Sequence, residues 1–115
     1  FIRRAHDEPI WGRFITRFAF NTRLLQDMFR GPPGADLELG IASGRYSIEP
    51  AMADTVVSMV GGCAVSGMLL VLEGRKTWRD VGSEAAELML RALGIPSQEA
   101  RHIACLDLPD LPPLP

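Results

Sequence analysis

Metal ligands and thiols are scarce in this chain: its 115 residues hold two cysteines and two histidines. Cys63, Cys105, His6 and His102 are scattered, with no pair at zinc-ligand spacing, and two thiols are too few for a disulfide framework. Both cysteines therefore read as reduced core residues. Basic charge is also lacking. Twelve lysines and arginines stand against fourteen acids, for a net charge of -2, which leaves no electrostatic footprint for phosphates. Arg3, Arg4, Arg13, Arg17, Arg23 and Arg30 gather in the first third, but Asp7, Glu8 and Asp27 among them make a solvated face the simpler reading. No nucleophile elbow is present, no glycine-rich phosphate loop follows a strand, and no His-carboxylate-nucleophile set has recognisable spacing. We therefore expect no catalytic residue, no metal and no cofactor. Asp107 and Asp110 read as solvated tail carboxylates, and Pro109 to Pro112 matches a PxxP ligand only formally, a tail packed on its own domain being the plainer reading. No signal peptide is visible, so a reducing cytoplasm is the expected setting. The chain starts on Phe1 without a methionine, and we expect it to be a fragment of a longer protein.

Charge is missing altogether from Thr55 to Leu72, eighteen residues in which Ser58, Gly62 and Ser66 fall four apart. Residues at that spacing share one side of a helix, and a stripe of small side chains lets another helix come close. Val57, Val60, Met68, Leu69 and Leu72 would pack around such a contact. A transmembrane span is the competing reading, since about twenty apolar residues cross a bilayer. The run is at the short limit, carries Thr55, Ser58 and Ser66 besides three glycines, and has no flanking Trp/Tyr belt. A helix buried on most sides fits better, and we expect no membrane partner.

Nearly every other segment also reads as helix. Phe1 to His6 reads as the end of a truncated helix. Pro9 suits a first helical position, and Trp11, Phe14, Ile15 and Phe18 follow the 3.6-residue period to about Phe20. Thr22 to Arg30 reads as a second helix ended by the Gly31-Pro32-Pro33-Gly34 breaker, and Asp36 to Ser43 as a third, stopped by Gly44. An extended stretch from Arg45 to Glu49 leads to a long helix from Pro50 to about Glu73, closed by Gly74. Trp78 or Arg79 opens the next helix, which runs to Leu93 with Gly94 as its cap. Ser97 is the expected N-cap of a last helix through Cys105, and a Leu/Pro-rich extended tail runs from Leu108 to Pro115. The expectation is a single all-α domain over residues 1–115, a helical bundle whose two long C-terminal helices pair antiparallel.

Three segments make the pattern a familiar one: Asp7-Glu8-Pro9-Ile10-Trp11-Gly12-Arg13-Phe14, Gly40-Ile41-Ala42-Ser43-Gly44-Arg45-Tyr46 and Leu90-Arg91-Ala92-Leu93-Gly94-Ile95-Pro96. With the order of elements, they resemble the C-terminal region of tetracycline-repressor-like (TetR-family) transcriptional regulators across almost the whole chain. The resemblance implies an effector-binding domain that forms a homodimer through its last two long helices, a four-helix interface, while operator DNA is bound by an N-terminal helix-turn-helix absent here. Ser58, Gly62, Ser66 and Leu69 on the first long helix, with Val81, Ala85, Leu88, Met89 and Ala92 on the second, are then the expected dimer face. For the effector, a small hydrophobic molecule, the aromatic and methionine side chains Trp11, Phe14, Phe18, Met28 and Phe29 are expected to face Met52, Val56, Met59 and Cys63. Arg17, with Asn21 and Thr55 nearby, would orient it. The effector would shift the first helices and so alter operator binding in the parent protein. The alternative is a helical dimerisation or interaction module without a ligand.

Overall fold

A computed structural model describes residues 1–114, with Phe29 described through its backbone alone. Pro115, at the end of the expected tail, and the Phe29 side chain, called for the effector site, lie outside the described residues. The chain folds into α1 (Ile2–Asp7), α2 (Pro9–Phe18), α3 (Arg23–Ala42), a 3-10 turn (Pro50–Met52), α4 (Ala53–Leu72), α5 (Trp78–Ala92) and α6 (Ser97–Ala104), with no strand among the described residues.

The helix boundaries follow local chemistry in most places. Pro9 opens α2, where its fixed φ and missing N–H cost nothing. Thr77 caps α5: its Oγ1 accepts from the Asp80 backbone N–H at 3.2 Å, and its hydroxyl donates to Asp80 Oδ2 at 2.8 Å. Gly44, Gly74 and Gly94, just past α3, α4 and α5, all have positive φ (73°, 68° and 94°), the left-handed conformation that ends helices. Two boundaries shift slightly. Pro50 opens a 3-10 turn that feeds α4 at Ala53, and Ser97 is the first residue of α6 with no side-chain capping bond.

The expected turn at Gly31-Pro32-Pro33-Gly34 does not form: α3 continues through it as one helix of 20 residues. Proline's φ is itself helical, and what it forfeits is the N–H that would reach back one turn. Arg30, Gly31, Pro32, Ala35 and Asp36 are exposed while Pro33 and Gly34 are half-buried; the carbonyls of Met28 and Phe29, which lose their helical donors, need another partner such as water.

The core is built along α4 in two clusters. Toward its C-terminal end, Val65 and Met68 pack with Ala5 of α1, Ile15 of α2, and Ala19 and Leu25. Toward its N-terminal end, Val56 and Val57 pack with Leu37 of α3 and with Leu93. A short link returns the chain along α4. Gly67 lies against Val81, while Val57 and Val60 share a cleft with Leu90 and Leu93, so α4 and α5 run antiparallel. Two of the three resemblance segments, the Gly40 and the Leu90 ones, also meet in space through Ser47. A Cβ on Gly40 would run into the Tyr46 ring, Ser47 N–H donates to the Leu93 carbonyl at 2.9 Å, and a Gly94 Cβ would fall 2.8 Å from that of Ser47.

Candidate functional site

Two features stand out: the outer face of α4 and α5, and the clefts around the helices. α4 is long and apolar enough to cross a membrane, yet only 22% of its most apolar eighteen-residue window is buried inside the chain. Its inward side carries Val56, Val57, Gly61, Val65, Gly67 and Met68. On its outward side Thr55, Ser58, Met59, Ser66 and Leu69 are exposed, and a Cβ on Gly62 would meet nothing within 4 Å. The 100° step of a helix puts these outward residues on one face. Beside it, α5 exposes Leu88 and Ala92, with Ala85 half-buried. Met59, Leu69 and Leu88 are 53%, 42% and 57% exposed, which leaves large apolar side chains in water.

Two residues expected on that face lie elsewhere. Val81 is buried, its Cγ1 3.0 Å from where a Gly67 Cβ would be, so it joins α5 to α4 within the chain. Met89 is half-buried and lines the cleft between α3, α4 and α5.

The ten residues expected around an effector divide among separate places. Trp11, Phe14 and Met28 line one groove of about 490 Å³, together with Phe1, Arg4, Ile15, Leu25 and residues Pro112–Leu114 of the tail. Phe18 adjoins it, its ring centroid 5.0 Å from that of Phe14, and packs on the core. The exposed Arg17 guanidinium stands 5.6 Å from the Phe18 ring centre. Val56 instead lines the cleft between α3, α4 and α5, about 320 Å³, with Leu37, Tyr46 and Val60. Met52 and Met59 are exposed and Cys63 is half-buried, and none of these three lines the Trp11 groove. The reason is a matter of register. α1 and α2 pack on the C-terminal half of α4, around Val65 and Met68, rather than on the Met52 to Cys63 half. Asn21 and Thr55 are exposed and stand outside the groove as well.

Sequence reasoning missed the groove's polar group. Arg4 is buried, 9% exposed, with Nη1 donating to Glu8 Oε1 at 2.7 Å and Nη2 donating to the Pro112 carbonyl. The four-residue spacing to Glu8 was visible, but the return of the tail over more than a hundred residues had no local signal. Tyr46 and Leu37 were missed for the same reason. At the far side of α1 a larger cleft, about 710 Å³, is lined by Ile2, Trp78 and Ile103 together with the tail residues Leu108 and Leu111. Arg3 and Arg79 stand over the Trp78 ring at 5.3 Å and 4.7 Å. No group of three His, Cys, Asp or Glu among the described residues could hold a metal ion.

The family model described as the tetracyclin repressor-like C-terminal domain matches residues 1–105. No curated protein and no solved structure matches the chain.

Proposed function

This chain belongs to the family of tetracyclin repressor-like C-terminal domains, which are regulatory rather than catalytic, and from that premise we propose that it is the effector-sensing and homodimerising part of a transcriptional regulator. Two copies pair through the outward face of α4 and the adjacent face of α5, with Ser58, Gly62, Ser66 and Leu69 meeting Ala85, Leu88 and Ala92 in a four-helix interface. The observation that carries this reading is the outward face itself: a helix without charge from Thr55 to Leu72 whose own chain covers so little of it. A bilayer would also cover it. Yet Thr55, Ser58 and Ser66 are exposed and Gly62 is half-buried with open space beside it, small or polar residues suited to a close helix contact.

The effector in this reading is a small apolar molecule held in the groove beside Trp11, Phe14 and Met28. Binding there bears on α1 through Phe1 and Arg4. In the parent protein a DNA-binding segment preceding α1 would move with it, so operator affinity changes only if the ligand favours one arrangement over the other. The regulator would work in the cytoplasm, touching operator DNA through that segment alone.

Light scattering on the purified chain tests the pairing: a mass twice the 12.6 kDa of one copy is expected, and a monomer at every concentration overturns it. Thermal shift against a panel of small apolar compounds tests the effector. A dimer that no compound stabilises would be a dimerisation module without a ligand.

A further inference from the structure

The family match ends at residue 105, and the tail beyond it, exposed except at the half-buried Leu111, lies along the surface of the helices. It crosses back over α1. Its sequence is a three-residue repeat, Leu108-Pro109-Asp110, Leu111-Pro112-Pro113, Leu114-Pro115, and three residues is one turn of a polyproline-type helix. Leucines at that interval fall on one side. Leu108 and Leu111 line the large cleft on one flank of α1, and Leu114 lines the Trp11 groove on the other. The carbonyls of Pro109 and Pro112 keep the same interval, and two successive arginines meet them: Arg3 Nη1 donates to Pro109 at 3.0 Å and Arg4 Nη2 to Pro112. Proline has no N–H, so a proline-rich strand offers carbonyls and apolar surface, and aromatic grooves with donors recognise such strands. Arg4 is the one buried charged side chain among the described residues, and half of its hydrogen bonding goes to the tail.

We infer that the surface of α1 together with its two flanking clefts, one against α2 and the start of α3 and the other against α5 and α6, is a binding site for an extended Leu-Pro segment, and that residues 108–114 of this same chain are its resident, displaceable ligand. Resting on the effector reading above, this deepens it: an apolar effector enters beside Trp11 by expelling Pro112–Leu114, which releases Arg4 and loosens α1. Tethering keeps the segment at an effective concentration on the order of millimolar, so a modest intrinsic affinity suffices to hold it closed.

The test uses the full chain, in which Trp11 and Trp78 each line one end of the tail's seat and report on it, and a labelled synthetic peptide of residues 106–115. In the chain with its natural tail, micromolar peptide is expected not to bind. With Leu111→Asp and Leu114→Asp in the tail, tryptophan emission should shift to longer wavelength. The natural-sequence peptide should then bind saturably and reverse the shift, and a peptide with both Asp substitutions should not. Arg4→Gln in a chain with the natural tail removes the Pro112 clasp by a second route and should admit the peptide more weakly. Absence of peptide binding in both altered chains, with helix content retained by circular dichroism, overturns the inference. Peptide binding that no apolar compound competes with would retire the effector reading of this groove and leave the self-ligand in place. A compound that binds beside Trp11 in a chain that never takes the peptide would do the reverse.

Discussion

Gly62 and Gly67 lie five residues apart on α4, about 140° around the helix, and their surroundings are opposite. A Cβ on Gly67 would sit 2.7 Å from Ile2 Cδ1 and 3.0 Å from Val81 Cγ1, because α1 and α5 both press on α4 there. A Cβ on Gly62 would meet nothing. Each glycine weakens the isolated helix by roughly 1 kcal/mol relative to alanine. At Gly67 the packing of this chain offsets that cost. At Gly62 nothing in one copy does, and in the proposed dimer a second copy would, while the close approach already made uses a glycine outside the stripe.

The comparison breaks most strongly from the inward side. Met68 is fully buried in the cluster with Ile15, Leu25 and Val65, and Met68→Ala is expected to cost about 2–5 kcal/mol in urea unfolding through the cavity it leaves. Gly67→Leu should cost about 1–3 kcal/mol, as Ile2 and Val81 are forced apart. Gly62→Leu should leave the fold of one copy unchanged in circular dichroism while the mass by light scattering falls from dimer to monomer. Concentration separates the two kinds of damage. A dimer gains stability with protein concentration, so the melting gap between natural and Gly62→Leu chains widens on concentrating. If that gap stays constant and the mass unchanged, the outward face of α4 is not the interface.

What could be read from the sequence was whatever depends on a few neighbouring residues. The stops at Gly44, Gly74 and Gly94 were legible because positive φ is a local demand that glycine meets. So was the outward stripe, since its four-residue spacing is a property of one helix. The continuity of α3 through Pro32 and Pro33 was not legible, because it depends on which side of the helix faces water. Nor was the true environment of Trp11. The aromatic and methionine positions on α2 and α3 were identified as groups that could line a site, but their pairing with the first half of α4 assumed a register that packing decides, and the tail's return to Arg3 and Arg4 links residues 106 and 108 positions apart.

The smallest effect sharpens the comparison at the other end of the molecule, where an exposed contact also joins distant segments. Arg45, in the loop that follows α3, donates to Glu99 Oε1 on α6, and this hydrogen bond holds the Glu99 carboxyl below its ordinary value. A depressed carboxylate pKa contributes stability that is complete above the unfolded value and is lost as pH falls through the folded one. The melting gap between the natural chain and Glu99→Gln should therefore be flat around neutrality and close only once the pH has fallen below the ordinary glutamate range. Both side chains are well exposed, so water and salt screen the pair and the gap should be small and shrink further with added salt. A gap that persists unchanged in acid would mean that Glu99→Gln acts on the α6 helix itself rather than through Arg45. Closure in acid would establish that α6 is tied electrostatically to the Gly40 to Tyr46 segment, in addition to the Ser47 contact at Leu93 and Gly94.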